Sequence, residues 1–302
     1  MNSKIIGKVL LSALIAHLGG SAAFGGAGTT VLDTLKQPGS ASSAARAEAS
    51  SALTGLGALP YNPAGLYGLG DTQVSVMYQR GMGEDTLISL LAGKEFEGFT
   101  LGAGVSYYTT GDIEMYTPAG QLLKETGQKD TVISLSAAAP VRGVPAGITL
   151  KMITSSVFGE SGSAFAADIG ARPHISENIC AGLSLQNIGS KISYIDEEDP
   201  LPAAIRPGLS YRGIYGDNTY TLSMDIPHYL NESVTMVLIG AEFNLGESLS
   251  FRGGYRVNLD ETEAETIVFG AGFKMDNYTF DYAAGLAGDL DMPHRVSLSA
   301  SF

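Results

Sequence analysis

Tryptophan is absent from this chain, cysteine occurs once, and charged side chains make up only 16% of its 302 residues. A single cysteine, Cys180, excludes an intramolecular disulfide, so no covalent staple holds the fold. With 44% hydrophobic residues and so little charge, the composition excludes a disordered chain. The charge present is acidic: 18 Lys and Arg stand against 31 Asp and Glu, a net −13. Nucleic-acid binding needs a basic surface, so no nucleic-acid partner is expected. Catalytic signatures are missing as well. There is no Gly-x-Ser-x-Gly elbow, no His-Glu-x-x-His and no phosphate-binding glycine loop. His174, His228 and His294 lie far apart in the chain. An enzyme, a cofactor and a bound metal are therefore not expected.

Long apolar runs are also missing, with one short exception. Residues 9–18 are apolar and follow the basic Lys4 and Lys8. Ser21-Ala22-Ala23 and Ala23-Phe24-Gly25 then offer small residues at cleavage spacing. A spanning helix needs about 20 apolar residues, so 1–25 reads as a secretory signal peptide. No cysteine follows it closely, which argues against a lipid anchor. Cleavage would remove two lysines and no acids, leaving 16 basic against 31 acidic residues and a net −15. An exported chain with no later hydrophobic helix is either soluble outside the inner membrane or a β-barrel.

The remainder divides at about residue 71. Residues 26–71 are rich in Ala, Ser and Gly; 41–53 could form a short helix, and Gly55, Gly57, Pro60 and Pro63 break regular structure beyond it. This segment is too small to bury a core alone, and it reads as a plug packed inside something larger. From Thr72 the period becomes two. Phe99, Leu101, Ala103, Val105 and Tyr107 alternate with Thr100, Gly102, Gly104 and Ser106. One face is large and apolar; the other is small, with charges set among it. A lipid-facing exterior around a narrow, filled lumen has this pattern.

Fourteen such segments can be placed, near 72–80, 85–94, 98–108, 130–139, 146–157, 163–173, 179–187, 205–213, 218–226, 234–245, 248–257, 266–274, 277–285 and 293–302. Connections after even segments are short, and those after odd segments include the long ones at 109–129 and 188–204. Outer-membrane barrels show this rhythm, with an even strand count. The expectation is an all-β fold: a 14-stranded antiparallel transmembrane barrel over 72–302, lying in outer-membrane lipid. Acidic runs at 196–199 and 260–265 fall in outward loops, where a solvated surface explains them better than calcium binding. In the last segment Val296, Leu298, Ala300 and Phe302 share a face. A closing aromatic resembles the signal read by the outer-membrane assembly machinery.

Four stretches carry a family resemblance: Asn62-Pro63-Ala64-Gly65-Leu66, the run from Ser184 to Ile192 (SLQNIGSKI), Leu201-Pro202, and Pro293-His294-Arg295-Val296-Ser297-Leu298. In this order the chain resembles the PorV/PorQ family, which is related to the FadL-type transporters. The resemblance implies a fourteen-stranded barrel, with the Asn62, Pro63, Ala64 motif lying in its plug. Two roles follow from it. One is a secretion accessory that docks a protein client and a partner translocon. The other is FadL-like passage of a hydrophobic small molecule. A structural barrel whose loops make the contacts is a third reading.

Strand parity puts Lys151, Asp168, Arg172, Asp225, Glu242, Arg252, Arg256, Lys274, Asp281 and Arg295 on the small-residue face, inside the lumen. Mutual pairs holding plug to wall, or a gate and ligand site centred on Arg252 and Arg256, would both use them. Gly102, Gly104, Gly170, Gly182, Gly240, Gly254, Gly270 and Gly272 share that face and leave room for a plug or a ligand. Cys180 joins them in a tight space. Without tryptophan, the interfacial girdle falls to tyrosines: Tyr78, Tyr107, Tyr108, Tyr211, Tyr215, Tyr255 and Tyr282.

Overall fold

The computed structural model describes residues 32–81, 85–116, 122–195, 197–260, 266–286 and 293–302. The signal-peptide reading of 1–25 lies outside them, as do the start of the plug and most of the acidic run at 260–265. No helix among the described residues is long and apolar enough to cross a membrane.

Fourteen strands form the wall: β1 (Gln73–Arg80), β2 (Thr86–Phe96), β3 (Phe99–Thr109), β4 (Gln128–Val141), β5 (Val144–Val157), β6 (Glu160–Ala171), β7 (Ile179–Gly189), β8 (Ala204–Tyr215), β9 (Asn218–Asp225), β10 (Val234–Leu245), β11 (Leu249–Asn258), β12 (Thr266–Met275), β13 (Tyr278–Leu286) and β14 (His294–Ser301). Each pairs antiparallel with its neighbours. The barrel closes where β1 meets β14, from Gln73 opposite Ser301 to Arg80 opposite His294. Closure leaves no edge strand with unpaired amides, as a bilayer demands.

The alternation seen in the sequence sets which way each side chain points. All fourteen strands turn large apolar residues outward, among them Val76, Leu135, Phe165, Leu209, Phe251 and Leu298. Leu135 is 65% exposed and Phe165 64%. Such a belt is costly in water and favoured in hydrocarbon. A closed, even-stranded barrel with this belt is an outer-membrane barrel.

Turns after even-numbered strands are tight, as at Arg142-Gly143, where both residues have positive φ (52° and 83°) and the backbone reverses in two residues. Two connections depart from the expected rhythm. The one after β6 runs over 172–178, and the one after β5 is only Phe158-Gly159. The long outward connections are also not plain loops. One carries a hairpin of Asp112–Tyr116 with Leu122–Thr126, and another a short pair of Ile192–Ser193 with Glu198–Asp199. Backbone groups lifted above the wall find partners in these local ladders. Because even-numbered turns share an end with the barrel's first and last residues, that end is the periplasmic one.

Two expectations need correction. Tyr108 shares parity with Thr100, Gly102 and Gly104, so it faces the lumen and not the interfacial girdle. Only Ala41–Ala44 of the expected 41–53 helix is α-helical; we name it α1. Beyond it Ala47 and Glu48 take positive φ (52° and 65°), which ends the helix and turns Glu48 toward the wall.

Candidate functional site

The plug runs inside the barrel from its outer end to its periplasmic end. At its described start, Leu32 packs with Val132, Ile153 and Ile192 near the outer end. Thr34 donates a hydrogen bond to Asp130, and Lys36 binds Glu232 at 2.5 Å in the outward connection after β9. At its finish, Gly70 donates to Glu95 at the periplasmic end of β2 and the chain enters β1. Between these points α1 is fixed by Ala41 N donating to Ser297 Oγ at 2.7 Å on β14.

Wall glycines make the fit. A Cβ on Gly240 would come within 2.6 Å of Arg46 O, one on Gly254 within 2.6 Å of Ala47 N, and one on Gly270 within 2.6 Å of Ala45 Cβ. Gly102 abuts Leu66, Gly170 abuts Asn62, and Gly182 abuts Ser51. Six of the eight expected glycines therefore admit plug atoms. Gly272 instead gives space to Arg252, and Gly104 to Ser134 and Leu91.

Asn62 stands at the centre of these contacts. Its Oδ1 accepts from Ala64 N at 3.0 Å and caps the single turn Pro63–Leu66. Its Nδ2 donates to Ser51 O at 2.8 Å and to Ala171 O of the wall at 3.0 Å. Pro63 begins the turn where its missing N–H costs nothing. Pro63 and Ala64 lie against Gly147. The residues just before Asn62 are held by β7: Ser184 Oγ donates to Tyr61 O at 2.6 Å and Gln186 Nε2 to Pro60 O at 2.8 Å. The stretch that begins at Ser184 thus grips the residues leading into the Asn62 stretch. Neither Ser184 nor Gln186 stood among the expected site residues, although both share the inward parity.

The lumen charges are largely paired. Glu242 accepts from Arg46 Nη1 and from Arg252 Nε, each at 2.5 Å, and Arg252 Nη1 reaches Asp281 at 2.6 Å. Arg256 pairs with Glu48 of the plug. Lys151 bonds Asp168 at 2.7 Å and Asn187 Oδ1 at 2.7 Å. Asp168 also accepts Asn187 N at 2.7 Å, at a bulge where the β6–β7 register shifts and Asn187 takes φ 56°. Arg295 donates to Gln79 at 2.6 Å. Lys274, by contrast, is exposed at the periplasmic end of β12, away from the others.

Arg252 and Arg256, the expected gate, are thus held by carboxylates, and each belongs to a plug–wall clamp. Arg206 was overlooked, though Gly208 and Ser210 share its parity. Its guanidinium lies 4.8 Å over the Tyr61 ring and donates to Glu48 O at 3.1 Å, with Asp225 3.5 Å away. Asp225 in turn accepts Ser50 N at 3.1 Å, Ser51 N at 3.0 Å and Ser51 Oγ at 2.8 Å. Desolvation pushes the pKa of the Tyr61 phenol well above its ordinary range, so the ring stays neutral beneath the guanidinium.

Two of the spaces among the described residues lie in the lumen. The smaller, 60 Å³, lies beside the plug's first segment, between Leu35, Leu59 and Pro60 on one side and Leu91 and Val132 on the other. Lys151 and Asp168 close one edge. The larger, 460 Å³, lies toward the periplasmic end and is polar. Among the described residues no group of three or more His, Cys, Asp or Glu is placed to hold a metal ion.

No family model and no curated protein sequence matches this chain. Solved structures do match its shape. The CymD monoaromatic hydrocarbon channel superposes with a TM-score of 0.64 at 13% identity, over 89% of this chain and 98% of that one. The Ralstonia pickettii toluene transporter TbuX gives 0.62 at 12% identity, over 87% and 98%. A Pseudomonas aeruginosa FadL homologue gives 0.56 at 10% identity, over 90% and 99%. At such identities the likeness concerns the fold alone: this chain shares the barrel architecture of these outer-membrane proteins.

Proposed function

We propose that this barrel passes hydrophobic small molecules across the outer membrane. The observation that carries the reading is the space between plug and wall whose apolar side is formed by Leu35, Leu59, Leu91 and Val132, in a barrel of the hydrocarbon-channel fold. At 60 Å³ the space is too small for an aromatic ring; a cavity that holds benzene measures about 150 Å³. Passage therefore requires the plug's first segment to shift. Its outer contacts, Thr34 to Asp130 and Lys36 to Glu232, are polar and largely buried, and they are the bonds that such a shift must break.

The finer assignment, to the PorV/PorQ type, is also a proposal. It is supported by the four ordered stretches. Three of them take part in plug–wall contacts: Asn62 bonds Ala171 O, Ser184 bonds Tyr61 O, and Ser297 accepts Ala41 N on the other side of the plug. Client docking in secretion draws no comparable support, so hydrophobic passage is the reading we adopt.

Uptake of radiolabelled toluene by intact cells with a lipopolysaccharide outer membrane tests it. Expression of the protein should speed uptake, and Leu35→Asp should cancel the gain while the barrel still runs as a heat-modifiable folded band. Equal uptake with and without the protein would refute the proposal.

A further inference from the structure

The larger lumenal space is lined differently from the smaller one. Arg172 leaves the end of β6 and is held by its own backbone N donating to Pro145 O at 2.9 Å. The residue is only 6% exposed, yet it lines the 460 Å³ cavity. Among the described residues it makes no ion pair. Its Nη1 meets the Cys180 thiol at 3.5 Å, and its buried Nε–H has no acceptor. Every other deeply buried arginine of the lumen has an anionic or carbonyl partner: Arg46 with Glu242, Arg206 with Glu48 O, Arg252 with Glu242 and Asp281.

The neighbours of Arg172 add to the positive field. Arg212 shares the inward face of β8 with Ser210, lines the same cavity and has no ion pair among the described residues. Its backbone N donates to Asn178 O at 2.9 Å, tying it to the 172–178 turn. His174 Nδ1 lies 3.1 Å from Cys180 Sγ. The acids at the cavity are Glu242, already shared by two arginines, and the exposed Glu177. A buried guanidinium without a counter-charge is costly unless an anion or water meets it. In a chain of net charge −13, a cavity with two spare guanidinium groups is a local inversion of sign.

We propose that this cavity is a binding site for a small oxyanion, a carboxylate or phosphate, entering from the periplasmic end. Arg172 is the buried anchor and Arg212 the exposed second cation; a planar guanidinium matches either oxyanion through paired N–H donors. The site does not rest on hydrocarbon passage, since it lies on the other side of the plug from the apolar space.

Cys180 provides the measurement, because it is the sole cysteine and touches Arg172. Purified full-length barrel would be treated with the small neutral reagent methyl methanethiosulfonate, at constant ionic strength, in chloride, inorganic phosphate or decyl phosphate. Phosphate or decyl phosphate should slow labelling several-fold relative to chloride, and Arg172→Gln should remove that protection. Arg212→Gln, at an exposed position, should weaken it without loss of the folded band. Protection by inorganic phosphate identifies a free ion as sufficient; protection by decyl phosphate alone identifies an amphiphile head group. Equal labelling in all three solutions by the folded wild-type chain would overturn the proposal, as would full protection surviving in both variants.

Discussion

Gly170 of the sixth strand stands directly against the side-chain carbonyl of Asn62, so the plug's capping residue occupies the volume that any larger wall residue would need. Adding a methyl group must move either the asparagine or the strand. Gly170→Ala is expected to lower stability by about 1–3 kcal/mol, the usual range for overpacking. Gly253 is the control, because a Cβ there meets only Val268 O at 3.9 Å. Urea unfolding followed by the heat-modifiable gel shift should separate the two variants.

The amide of Asn62 serves three backbone groups at once. Asn62→Ala leaves Ser51 O, Ala171 O and Ala64 N without these partners in a buried setting. Each orphaned group costs about 1–3 kcal/mol, so this loss should exceed that of a simple helix-cap deletion, about 0.5–2 kcal/mol. Faster proteolysis within the plug, with the strands still protected, is the expected local signature. Unchanged cleavage would show that the cap does not hold the plug.

Glu242 joins the plug to two wall strands through Arg46 and Arg252. Glu242→Gln leaves Arg46 without its counter-charge and Arg252 with Asp281 alone, and should destabilise by about 3–5 kcal/mol. The exposed Glu247→Gln should be near neutral. A double change of Arg46 and Glu242 to apolar residues of similar volume should recover much of the loss, which a double-mutant cycle would measure.

The outer belt makes a prediction that depends on depth. Phe165, in the middle of β6 and 64% exposed, faces hydrocarbon. Phe165→Arg should impede folding into phospholipid vesicles by roughly 2–4 kcal/mol, the cost of arginine at mid-bilayer. Leu245, at the periplasmic end of β10, should tolerate the same change at about 0–1 kcal/mol. Equal costs at both sites would contradict the belt's placement.

The wall was far more legible in the sequence than its contents. A strand's two-residue period names its inner face without knowledge of the partner, so Gly170, Gly240 and Gly254 could be placed inward from alternation alone. The same parity would have exposed Arg206 and Asp130. The plug has no period. Its path depends on meetings between residues about two hundred positions apart, such as Arg46 with Glu242 and Glu48 with Arg256. No spacing rule links them. Ala and Ser between 41 and 53 suggested a helix because propensity is local; the left-handed Ala47 and Glu48 answer to the wall instead.

The route of the plug, from the outer end at Leu32 down to Gln73 at the periplasmic end, constrains the order of assembly. Its hydrogen bonds reach β6, β7 and β8 on one side and β14 on the other. A segment anchored around so much of the circumference is easier to place before the cylinder shuts at β1 and β14 than after. The strands are therefore expected to curl about the plug, the last seam sealing it in like a stave closed on a mandrel.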